Sequence, residues 1–146
     1  MTEWIIRESW PGDLSFIYSS WLQSFRKDSF MSKVCSSHLY YKYYCQVIDA
    51  ILSKDETKIA VAAHSWQEPE VIFAYLVYDS DSMHYAFTKE PFRRLNMMKS
   101  LYEAAASPRV FTHVTHSIKP ILEKHPDLEY NPFLLYVRGI QNGETV

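Results

Sequence analysis

Apolar side chains along the chain recur first at helical spacing and then at alternating spacing, and the change of period lays out the elements. Residues 2–8 read as a first strand. The break "WPGD" at 10–13 follows, with Asp13 placed to cap a helix. Leu14, Ile17, Tyr18, Trp21, Leu22 and Phe25 then fall three and four apart, which is one apolar helical face. The polar stretch "FRKDSFMSK" at 25–33 predicts a loop. A second helix is expected over about 37–53, where Leu39, Tyr40, Tyr43, Tyr44, Val47, Ile48, Ile51 and Leu52 recur in pairs every four residues. The run "HLYYKYYCQ" within it is a helical stripe packed on a sheet or, alternatively, the wall of an acceptor groove.

From residue 57 the period becomes extended. "TKIAVAAHS" (57–65), "VIFAYLVYD" (71–79) and "MHYAFTK" (83–89) read as strands separated by the turn formers "QEPE" and "DSDS". A helix over about 96–106 carries Met97, Met98, Leu101, Tyr102 and Ala105 on one face, and Pro108 stops it. "RVFTHVT" (109–115) predicts a strand, Ser117 is placed to cap the helix "IKPILEKH", and "LEYNPFLLYV" (128–137) predicts a closing strand in which Pro132 calls for an edge position or a bulge. The order is β α α β β β α β α β, in which three antiparallel-type strands lead into a strand–loop–helix–strand unit that calls for a right-handed parallel crossover. Leu14, Ile17, Trp21, Tyr44, Val47, Ile48, Ile72, Tyr75, Val77, Phe111 and Val114 are the expected core. The fold class is α/β, in detail an α+β mixed sheet in one domain over residues 1–146.

Composition narrows the function. The chain has 146 residues, 47% of them hydrophobic, enough for a packed core and against global disorder. A net charge of −2 argues against a nucleic-acid partner. No apolar run is long enough for a membrane span, and "MTEWIIRESW" is too polar for a signal peptide, so a cytoplasmic location is expected. Cys35 and Cys45 read as reduced thiols. The six histidines form no HxH or HExxH pattern and no CxxC occurs, so no metal site is expected.

Only three glycines occur, Gly12, Gly139 and Gly143, which leaves the stretch "YAFTKEPFRRLNMMKSLYEAAA" (85–106) without any. This stretch reads as a strand, a basic loop and a helix start, an arrangement suited to phosphate. Arg93, Arg94 and Lys99 bring three positive charges, and Asn96 is the residue best able to make a left-handed turn in place of glycine. Read alone, the loop is either a phosphate cradle or a capped helix with a solvated basic loop.

The element order over roughly residues 3–137, with this loop at its centre, resembles the GNAT superfamily of N-acetyltransferases. In that family the fourth strand leads into a loop of pattern Q/R-x-x-G-x-G/A that holds the diphosphate of acetyl-CoA. Here the matching residues are Arg93, Arg94, Leu95, Asn96, Met97 and Met98, with Asn96 where glycine is usual and Met98 where glycine or alanine is usual. The resemblance implies a GNAT-like fold of six to seven mostly antiparallel strands with helices on both faces. It implies acetyl-CoA as cofactor, held by Arg93 to Lys99. Ala86, Phe87 and Thr88 would line the slot for its pantetheine arm, and an amine of a small molecule or protein would be the acceptor. His84 and His113, on the strands flanking the slot, are the candidate bases. Tyr130 and Tyr136 are alternative acids, because the helix that often supplies a tyrosine acid has none here. The lost glycines leave a second reading, a GNAT-fold interaction or structural protein without catalysis. The aromatic-rich style and "NPFLLY" resemble small acetyltransferase-like proteins encoded by bacteriophages, which would place the chain in a host cytoplasm, with self-association as a further expectation.

Overall fold

A computed structural model describes residues 4–134. The six strands found there are β1 (Ile5–Glu8), β2 (Lys58–Ala63), β3 (Ile72–Tyr78), β4 (Ser82–Thr88), β5 (Val110–Phe111) and β6 (Glu129–Tyr130). They lie side by side in chain order in a single sheet. β1 to β4 run antiparallel, and the pairings β4–β5 and β5–β6 are parallel. The helices are α1 (Leu14–Asp28), α2 (Phe30–Val34), α3 (Ser37–Leu52), α4 (Met97–Ala104) and α5 (Lys119–Lys124). α4 and α5 form the crossovers that parallel neighbours require.

Alternation along the strands divides the core into two layers. Ile59, Val61, Tyr75, Val77 and Tyr85 pack with Ile17, Trp21, Ile48 and Ile51 of α1 and α3. On the other face Ala60, Ala62, Ala74, Leu76, Met83 and Ala86 meet Met97, Met98, Leu101 and Tyr102 of α4 and Ile118 and Ile121. Among the described residues no helix is long and apolar enough to cross a membrane.

The expected order is present with local departures. The predicted loop at 25–33 is helical instead: α1 runs on to Asp28, and Ser29 caps α2 by accepting from the Ser32 amide. Asp13 does not cap α1 with its side chain. It is buried and bonded to Arg7 at 2.8 and 3.0 Å, while accepting from the Trp10 amide at 2.6 Å. Arg7 also reaches the Pro69 carbonyl oxygen, Nη2 to O, at 2.7 Å, which joins β1 to the β2–β3 connection. Leu14, expected in the core, is 39% exposed at the start of α1, and Val114 is 47% exposed. Val114 lies outward because the strand expected at 109–115 ends at Phe111, and the chain then turns its threonine and serine side chains toward β4. α4 stops at Ala104, before the predicted end, where Ala106 and Ser107 take left-handed conformations. Ser117 does not cap α5; it accepts from the Thr88 amide. The last expected strand is reduced to Glu129–Tyr130, and residues 135–137, with Tyr136, lie outside the described residues.

Candidate functional site

β4 leaves the sheet at Thr88 and turns through a short 3-10 segment, Glu90–Phe92, before α4 begins. Phe92 anchors this turn by stacking on Phe73 of β3, with ring centroids 4.0 Å apart. Arg93 folds back so that its Nε donates to the Thr88 carbonyl at 3.3 Å. Asn96 is the residue that starts α4, in a left-handed conformation with φ 59° and ψ 20°. Its side chain makes no capping bond, and the first amides of a helix have no partner within the helix. Arg93, Arg94, Leu95, Asn96 and Lys99 are exposed around this start, whereas Met97 and Met98 are buried under the sheet. The thioether of Met98 therefore does not stand over the helix end, although a smaller residue was expected there.

Beside this loop β5 parts from β4. The ladder between them covers only Ser82 and Met83 on β4, closing with the Thr112 amide on the Met83 carbonyl at 3.0 Å. A bulge opposite Val77 and Tyr78 resets the alternation of β4. As a result Ala86 and Thr88 direct their backbone groups away from β3 toward the opening. Those groups are occupied: Thr115 Oγ1 donates to the Ala86 carbonyl at 3.0 Å, and the Thr88 amide donates to Ser117 Oγ at 2.9 Å. Phe87, expected to line the slot, instead turns its ring to the α1 face, against Phe16 and Tyr75.

The two candidate histidines are brought together, in a buried polar chain that no spacing in the sequence discloses. His84 Nε2 contacts Asp79 Oδ2 at 3.0 Å, and His84 Nδ1 contacts Thr112 Oγ1 at 3.2 Å. Thr112 Oγ1 lies 2.9 Å from His113 Nδ1, and His113 Nε2 lies 2.7 Å from the Tyr44 hydroxyl. The Trp21 indole donates to the same hydroxyl at 3.0 Å. An indole N–H can only donate, so the Tyr44 oxygen accepts from Trp21. The Thr112 hydroxyl also lies 3.4 Å from the Met83 carbonyl, to which it donates.

Burial would raise the Asp79 pKa, but the His84 hydrogen bond and the amides of Asp81 and Ser82 outweigh it and hold the carboxyl well below its ordinary value. Burial lowers the His113 pKa to about 3, helped by nearby His84, so the ring is neutral at ordinary pH. Burial pushes the Tyr44 hydroxyl well above its ordinary value and keeps it protonated. Tyr130 lies half-exposed on β6, separated from β4 by β5. No group of three or more His, Cys, Asp or Glu able to hold a metal occurs among the described residues.

A sheet that changes from antiparallel to parallel at β4, with a helix springing from the end of that strand and β5 parting from it, is the GNAT fold. A protein of the GNAT family from Desulfovibrio desulfuricans superposes on the chain with a TM-score of 0.50 at 10% identity, over 85% of this chain and 82% of its own. A transcriptional regulator from Bacillus halodurans C-125 gives 0.52 at 16% identity, over 88% and 93%. The aminoglycoside N-acetyltransferase AAC(6')-Iy, in complex with CoA, gives 0.53 at 12% identity, over 90% of each chain. No family model and no curated protein sequence matches the chain.

Proposed function

We propose that the chain is an acyl-CoA-dependent N-acyltransferase, moving an acetyl group from acetyl-CoA to the amine of a small molecule or a protein. The observation that carries this reading is Asn96 at φ 59°: the turn that glycine makes in the GNAT loop is made here by asparagine. With Met98 buried, the helix start is open to a diphosphate. A neighbour of the same fold, AAC(6')-Iy, carries CoA. Bound there, the thioester would supply the activated acetyl group. Arg93, Arg94 and Lys99 would hold the diphosphate together with the amides from Leu95 to Met98. Thr115 and Ser117 would rotate away and free the backbone groups of Ala86 and Thr88 for the pantetheine arm. His84 and His113 have both ring nitrogens committed to partners. In this reading they position the Tyr44 hydroxyl, and neither takes the amine proton directly.

The second reading, a GNAT-fold interaction protein without catalysis, is favoured by one observation: Thr115 and Ser117 already fill the slot-facing groups of β4. Calorimetry with acetyl-CoA separates the two. The acyltransferase reading expects micromolar binding that Arg93→Ala with Arg94→Ala weakens by roughly 2–5 kcal/mol, each charge-assisted bond contributing about 1.5–3. Asn96→Gly should leave binding intact or strengthen it. No binding by the natural chain, by Asn96→Gly, or by Thr115→Ala with Ser117→Ala would rule the acyltransferase out.

A further inference from the structure

α2 is a five-residue helix that shows water three large apolar side chains. Phe30 is 80% exposed, and Met31 and Val34 are each 67% exposed. Nothing in the acyltransferase reading uses them, and an apolar cluster this open marks a contact surface. Leu39, Tyr41 and Tyr43 of α3 are also exposed.

The charge around this helix is mostly positive. Residues 29–48 contain no aspartate or glutamate, although the whole chain carries a net charge of −2. A groove of about 400 Å³ beside α2 is lined by Gln23, Arg26, Lys27, Lys33 and Tyr41. Arg26 is fixed there, with Nη1 donating to the Ser32 carbonyl at 2.8 Å and Nη2 to the Cys35 carbonyl at 3.3 Å. Lys27 and Lys33 are exposed and make no ion pair among the described residues. The neighbouring carboxylate, Asp28, points elsewhere and accepts from the His116 amide at 3.3 Å.

We propose that this groove and the apolar face of α2 form a docking site for an acidic, apolar-anchored segment of a partner protein. The lysines and Arg26 select the carboxylates, and Phe30, Met31 and Val34 receive the apolar anchors. One helical turn is far shorter than the helices that lie on membranes. Through Asp28 and His116 the site adjoins the residues that close the slot, Thr115 and Ser117. The inference does not depend on acyl transfer, since a non-catalytic protein of this fold would use the same surface.

The test is selection of a random-peptide library on the full chain, followed by fluorescence anisotropy of the enriched peptides. Enriched peptides should carry Asp and Glu among Leu, Phe or Trp. Their affinity should drop at least tenfold for Lys27→Glu with Lys33→Glu, and at least tenfold for Phe30→Ser with Val34→Ser. It should also fall severalfold when salt rises from about 50 to 300 mM. The paired replacement Lys27→Gln with Lys33→Gln, checked by thermal melting, guards against an unfolded charge-reversal variant and should also weaken binding. Four results would overturn the proposal: no enrichment; peptides without acidic excess or indifferent to both variants; sedimentation of the chain with phosphatidylserine vesicles in place of peptide binding; or self-association that Phe30→Ser abolishes while no peptide binds.

Discussion

His113 Nε2 lies 2.7 Å from the Tyr44 hydroxyl, joining residues 69 positions apart. Around this bond Trp21, Phe25, Tyr44 and Tyr85 set their rings, each with its centroid within 6.1 Å of the imidazole. The imidazole is neutral because burial disfavours its charged form, and this ties the stability of the fold to pH. A histidine held at about 3 in the folded chain and near 6.5 when unfolded contributes stability that is complete above 6.5 and is lost as pH falls toward 3. The expected loss approaches about 1.4 kcal/mol per pH unit below 6.5. Asp79, whose pKa is lowered, has the same sign but acts only below its unfolded value near 4. Urea titrations at pH 7 and pH 5 should therefore differ by roughly 2 kcal/mol in the natural chain, and much less in His113→Gln. Equal stabilities at the two pH values in the natural chain would contradict a buried neutral His113.

Trp21 has no exposed surface, stacks on Tyr85 at 4.7 Å and donates to Tyr44. Trp21→Ala should cost roughly 3–5 kcal/mol through the cavity and the lost stacking. Chemical denaturation measures this directly, and a cost near zero would show the side chain to be dispensable to the core.

Arg7 and Asp13 are both almost wholly buried and bonded by two contacts. Burial alone would raise the Asp13 pKa, yet the Arg7 bond and the Trp10 amide lower it. Asp13→Ala strands a guanidinium and should destabilise the chain by roughly 3–5 kcal/mol, whereas a paired change of Arg7 and Asp13 to apolar residues should cost much less. A double-mutant cycle on melting free energies decides between these magnitudes.

Asn96 occupies a backbone region that β-branched residues enter only under strain. Asn96→Val should destabilise by roughly 1–3 kcal/mol, and Asn96→Gly should be near neutral. If valine melted like the natural chain, the left-handed turn would not exist in solution.

Much of the fold was legible because it rests on short-range pattern. The period change near residue 57 placed the strands. The left-handed turn at Asn96 was legible from the absence of glycine. What stayed hidden was set by partners distant in the chain. Asp13 looks like a helix cap until Arg7 arrives beside it, and Ser117 looks like one until Thr88 takes its oxygen. "FRKDSFMSK" looks too polar for a helix, yet Ser29 and Arg26 supply the bonds that stabilise one. The link from His84 through Thr112 to His113 joins β4 to the segment that follows β5 and cannot be read from either, and Tyr44 was hidden in a stripe of similar tyrosines.

The contacts of Arg7 bear on the order in which the sheet assembles. β2, β3 and β4 are successive neighbours joined by short connections, so their contacts close early at small entropic cost. β1 instead pairs Ile5 with Ala63, and Arg7 reaches Pro69 across 62 positions. That closure must wait until the connection between β2 and β3 has formed its carbonyl acceptor. The central meander is the expected folding nucleus, and β1 docks onto it afterwards. Substitutions in β2–β4 should slow refolding, whereas changes at Arg7 should act mainly by speeding unfolding.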